Sequence, residues 1–333
     1  MNFKKWNRPF YRDVLRDAFF LAWRHRKLWI FALFACILQT GGIIDVVLTS
    51  SAVITRQAKN LIGNGGWMGP PFFNTELSGV PGAISAISKI ESLMLVVLLV
   101  ITVFVVSVIA QGALAYGLGA RTDKESPPFR ACLTVGAKNF WSIAFLNIMT
   151  LGVMWLARFI VLIPYTYSIT NATWLSVIGY IIAFFVFLVV VTGMTTIHMF
   201  SLNAIILRSE TIKNALEDTY ILFKKHWLMV VEVAALLFII GFGLLLAAVT
   251  LTILAEIPLF LMLILAALFH WMVLLEFLFG MGIAVLVVIF GLFGVWSVSF
   301  QYAVWQRLYL RTEGGSVMSK IHRLISGLLD RKK

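Results

Sequence analysis

The feature that most constrains this chain is a succession of apolar runs, each long enough to cross a bilayer, joined by short basic segments. A membrane-crossing helix needs about 20 consecutive apolar residues. Runs 28–48, 92–119, 140–163, 175–206, 227–254 and 276–305 meet that length. They predict an all-α fold: a polytopic transmembrane helical bundle of six spans, forming a single domain over 1–333. A further apolar stretch, 258–275, follows Pro258 and reads as an outer re-entrant or interfacial element. Only 13% of the residues are charged, against roughly 25% in a soluble domain.

The sign of the charge sets orientation, because Lys and Arg concentrate on the cytoplasmic side of a membrane. With six spans and a cytoplasmic N-terminus, segments 1–27, 120–139, 207–226 and 306–333 lie inside. They hold 23 of the 27 Lys and Arg. A seventh span over 258–275 would place the basic tail, 306–333, outside. The net charge of +12 therefore points to the anionic leaflet of a cell membrane, with both termini cytoplasmic, and not to nucleic acid. The region before Leu28 is long and charged, and no small-residue cleavage site follows, so 28–48 is expected to be a retained span. Cys36 and Cys132 make neither a disulfide pattern nor a metal site.

Each outward-going span opens with one device. Lys27 precedes Trp29, Lys138 precedes Trp141, and Lys225 precedes Trp227. A cation sits among headgroups, and an indole prefers the interface because its ring is apolar and its N–H needs a partner. An amphipathic stretch leads into each device, over 10–25, 127–138 and 212–225. In the first, Tyr11, Val14, Leu15, Ala18, Phe19, Ala22 and Trp23 share one face, and Arg12, Asp13, Arg16 and Asp17 take the other. Such helices lie in the plane of the interface. The chain thus reads as three copies of one unit: interfacial helix, outward span, inward span.

Ionisable groups inside a bilayer are costly and often functional. Asp45, Arg158, Glu256 and Glu276 all fall toward the outer ends of their spans. They read either as an outward pocket for a small anionic or zwitterionic ligand, or as one ion pair that fixes packing, with Asp45 the first choice of partner for Arg158. Toward the inner side lie Gln111, His198 and Glu232. His198 has Glu232 or Gln111 as interhelical partners, and a line of such groups is also what a proton relay requires. Ala113-x-x-x-Gly117 and Ala115-x-x-x-Gly119 suit close helix approach, and Gly241, Gly243, Gly280, Gly282, Gly291 and Gly294 suit either close approach or kinks. No H-E-x-x-H, G-x-S-x-G or Walker motif occurs, and the inner loops are short. No catalytic residues, cofactor or metal are predicted.

The pattern "AFFLAWRHRKLWIFALF", with the re-entry segments "AKNFW" and "FKKHW", resembles a broad group of bacterial six-span membrane proteins. The group includes the membrane domain attached to some glycerophosphodiester phosphodiesterases. The resemblance implies a bacterial inner-membrane protein and carries no activity, since catalysis in those enzymes belongs to a separate soluble domain. Two functions remain in view. One is a non-enzymatic protein that binds or moves a lipid-like or small amphiphilic ligand. The other is a membrane scaffold that organises partners through its amphipathic helices.

Overall fold

The computed structural model describes residues 10–38, 82–119, 127–171 and 174–313, and those residues are helical throughout except at short turns. Helix α1 spans Phe10–Arg24, and a 3-10 turn over Arg26–Leu28 joins it to α2, Trp29–Leu38. Then come α3 (Gly82–Gly119), α4 (Phe129–Lys138), α5 (Phe140–Asn171), α6 (Trp174–Arg208), α7 (Ile212–Leu268) and α8 (Met272–Glu313). Among the described residues five helices are long and apolar enough to cross a membrane: α3, α5, α6, α7 and α8. The expected first span is described only as far as Leu38, and Asp45 and the segments 39–81 and 314–333 lie outside the described residues.

The amphipathic stretches are helices that break just before their Trp anchors. The α1 helix ends at His25 (φ −96°, ψ 53°). The α4 helix ends at Asn139 (φ −97°, ψ 14°), after Pro128 at its N-cap, so both prolines of 127–128 precede the helix. Within α7 the break is a kink at His226 (φ −122°, ψ 19°). A break here is physically reasonable, because a helix lying along an interface and one crossing it differ widely in direction.

Each short helix packs on a long one. Helix α4 lies on α3, where a Cβ on Gly136 would meet the Ile109 carbonyl oxygen and the Ala113 amide nitrogen. The segment 212–225 sets Phe223 beside Gly193 of α6. Helix α1 packs on α8, with the Phe19 and Trp296 rings edge to face at 5.5 Å. Helices α3, α6 and α8 also contact one another, and α2, α5 and α7 pair with α3, α6 and α8 respectively.

The core occupies the basic end. Leu114, Ile143, Leu146, Phe200, Ile205 and Leu308 are fully buried there. Phe200 wedges between Trp305 and Tyr309, at 6.1 and 5.5 Å between ring centroids. Small residues let the backbones approach: Gly119 faces Gln306, and Gln306 Nε2 donates to the Ala115 carbonyl at 2.7 Å. The far halves differ. Met94–Ile101 of α3 are exposed on every face, and over 272–292 of α8 only Leu278 is buried. Gly241, Gly243, Gly280 and Gly291 meet nothing within 4 Å, so they are not close-approach sites there.

Residues 258–275, expected to form a separate outer element, do not. Helix α7 continues through Pro258 to Leu268, the chain turns at Phe269–Trp271 with His270 at φ 55°, and α8 begins at Met272. Proline is tolerated in apolar helices because neighbouring groups re-satisfy the freed carbonyl. From Trp227 to Leu268 this helix runs roughly 60 Å at 1.5 Å per residue. Inclined by about 40°, the upper end of the usual range, it would still rise roughly 46 Å, more than the thickness of a hydrocarbon core.

Two outcomes follow. Gly136→Ala forces backbone apart between α4 and α3 and should lower stability by about 1–3 kcal/mol, whereas Gly152→Ala, which meets nothing within 4 Å, should be neutral or better. Thermal denaturation in detergent compares the two. Burial pushes the Cys132 thiol above its ordinary range, so maleimide should modify Cys132 only after denaturation, as mass spectrometry of the alkylated peptide would report.

Candidate functional site

A cluster of polar side chains is buried where the packed half of the bundle meets the open half. Gln111 comes from α3, Asn147 and Thr150 from α5, His198 from α6 and Tyr302 from α8, and none is more than 7% exposed. Each interrupts an otherwise apolar helix. In lipid such groups turn inward, where they find one another. Leu38, Leu151, Thr195 and Met199 complete the walls of a small cavity. It leaves about 10 Å³ for the centre of a water-sized sphere, room for about one water.

The hydrogen bonds assign donors and acceptors. Asn147 Nδ2 donates to Gln111 Oε1 at 2.7 Å and to the Ile143 carbonyl at 2.9 Å. The Thr150 hydroxyl donates its one hydrogen to the Leu146 carbonyl at 2.8 Å. At its 3.1 Å contact with His198 Nδ1, Thr150 Oγ1 then accepts from the ring in the tautomer that carries its proton on Nδ1. His198 Nε2 is left as a lone-pair acceptor. The Tyr302 hydroxyl is buried and has no hydrogen-bond partner among the described residues.

Two of the three inner candidates, Gln111 and His198, thus share one cavity. Glu232 is half-buried on α7 and does not line it, and the partner of His198 is Thr150. Sequence reasoning missed Asn147, Thr150 and Tyr302. Their signal was available: Asn147-x-x-Thr150 places two polar groups on one face of an apolar helix.

The outer candidates that lie among the described residues stand as follows. The Arg158 guanidinium lies 5.8 Å from the centroid of the Trp155 ring on its own helix. Glu256 packs against Gly282 across the α7–α8 hairpin, where a Cβ on that glycine would stand 3.0 Å from the carboxylate. Glu276 is exposed. The pairing of Arg158 with Asp45 lies outside the described residues.

Among the anchors, Lys27, Lys138 and Lys225 are exposed, as are Trp141 and Trp227. Trp29 is half-buried and donates from Nε1 to the Ala22 carbonyl at 3.0 Å, so its N–H is satisfied by the end of α1. The basic end also carries ion pairs that the sequence did not reveal. Arg208 at the end of α6 pairs with Glu210 at 3.1 Å and with Glu313 of α8, and Arg311 of α8 pairs with Asp17 of α1 at 3.2 Å. These groups are about one-third exposed, so they fasten helix ends with modest strength. A cleft of about 200 Å³ beside Arg208 is lined by Asp218, Thr219, Tyr309 and Glu313. Among the described residues no three His, Cys, Asp or Glu side chains converge on a metal position.

The chain matches no family model, no curated protein and no solved structure.

Asn147→Leu removes the donor to Gln111 and should lower stability by about 1 kcal/mol, since interhelical bonds in membranes are worth about 0.6 kcal/mol on average and up to about 1.7. Arg208→Gln should change stability by less than about 1 kcal/mol, and high salt should erase the difference. Denaturation midpoints at low and high salt distinguish the two variants.

Proposed function

We propose that this protein is a six-span membrane protein that binds or moves a lipid-like or small amphiphilic ligand between its helical hairpins, without catalysis of its own. The observation that carries the reading is the contrast between the two halves of the bundle. The basic end is closed by a packed core, whereas the far halves of α3, α6 and α8 are exposed over consecutive turns. A helix apolar on every face and unpacked on every face needs acyl chains around it. The space between hairpins then belongs to lipid-like molecules, closed from below and open to one leaflet.

The rest of the reading extends that picture. The three breaks at His25, Asn139 and His226 support a repeat of interfacial helix, outward span and inward span. The packing of α1 on α8, as α4 packs on α3, supports closure of that repeat into a ring. Exposed Arg12, Arg16, Arg24, Arg26, Arg130 and Lys213, beside exposed Phe20, Trp23 and Tyr220, suit an anionic cytoplasmic leaflet, with both termini on that side. A bacterial inner membrane is the setting that the sequence pattern implies.

Native mass spectrometry of the purified protein tests the reading. A lipid-like adduct retained through delipidation is the expected result. A bare chain, with partner proteins captured through α1 and α4, would favour the scaffold instead. Orientation has its own check. Cysteines placed at positions 60 and 320 should react with an impermeant maleimide from opposite sides of the membrane, and reaction of both from one side would contradict six spans.

A further inference from the structure

We infer that the cavity between Gln111, Thr150, His198 and Tyr302 is a binding site for one uncharged hydroxyl group. Its size sets the first limit: the space admits about one water-sized group. Its chemistry sets the second. The Tyr302 hydroxyl is a buried donor with no partner among the described residues, and such groups are rare unless a water or ligand satisfies them. The bond from His198 Nδ1 to Thr150 Oγ1 leaves His198 Nε2 as an acceptor. A hydroxyl can take a hydrogen bond from Tyr302 and give one to Nε2 in the same position.

Charge sets the third limit. Among the described residues no Lys, Arg, Asp or Glu lines the cavity. A carboxylate or ammonium there would be a buried charge without a counter-ion, which is strongly unfavourable. A carboxylate also has no hydrogen to give to Nε2, and an alkane end would leave both protein groups unsatisfied.

The location adds a source. The cavity sits at the outer rim of the packed core, directly where exposed helix surface begins on α3 and α6. A water can supply the hydroxyl. So can the hydroxyl end of an amphiphile whose chain lies among the open halves of the hairpins, and this second source rests on the lipid-binding reading above.

The test uses the full chain in detergent, with 1-dodecanol, dodecanoate and dodecane as probes, and a high-resolution density map without additive. An increase in Tm specific to 1-dodecanol, lost in Tyr302→Phe, assigns the hydroxyl to an amphiphile. Ordered density within hydrogen-bonding distance of Tyr302 Oη and His198 Nε2, with no alcohol-specific shift, assigns it to water. Either result supports the site. A Tm shift specific to dodecanoate overturns it. So does the absence of both density and a Tyr302-dependent alcohol shift. The map is measured on the unaltered chain, so the site stays testable if Tyr302→Phe fails to fold. A retained lipid adduct with neither signal would sink this inference alone and leave the lipid-binding reading standing.

Discussion

Lipid solvates a leucine as well as a neighbouring leucine does, so apolar burial gives membrane helices little reason to associate. The packed half of this protein is therefore made by what lipid cannot solvate and by what lets backbones touch. Asn147 with Gln111, His198 with Thr150, and Gln306 with the Ala115 carbonyl supply the polar contacts. Gly119, Gly112 and Gly136 supply the close approach, since a Cβ at each would meet a neighbouring side chain or backbone. Along 94–101 neither kind of residue occurs, and along 272–292 Gly280 and Gly291 meet no neighbour within 4 Å; both stretches stand exposed. The shape of the molecule follows from that distribution.

The same reasoning explains what the sequence made legible. Apolar length and basic flanks located the long helices, and the amphipathic stretches at 10–25, 127–138 and 212–225 each contain a helix, because hydropathy and helical period act locally. Trp141 and Trp227 are exposed. The extent of α7 was not legible: Pro258 reads as a stop in water, and only the surrounding apolar helix lets it pass. The polar cavity was half legible. Gln111 and His198 stand out as isolated polar residues, but which residue meets His198 depends on the rotation of α5 about its axis. A thirty-residue apolar helix does not encode that rotation in its own periodicity, since its hydrophobicity has no strong face.

The two ends of the molecule divide the work. At the basic end, Arg208 and Arg311 tie α6 and α1 to α8, and three helix breaks set amphipathic segments against the long helices. That end is rigid enough to hold a polar cavity of one-water size. The far end is long, apolar and sparsely packed, and its α7–α8 hairpin exceeds the thickness of a bilayer core.

The central claim is that the far halves are surrounded by lipid while the basic halves are packed. Oxygen accessibility of spin labels, scanned residue by residue along α3, measures this directly. The account predicts uniformly high accessibility over 94–101, with no helical period, giving way to a 3.6-residue oscillation and low values over 107–118. A clear helical period over 94–101 would show a face packed against protein there and would contradict the account.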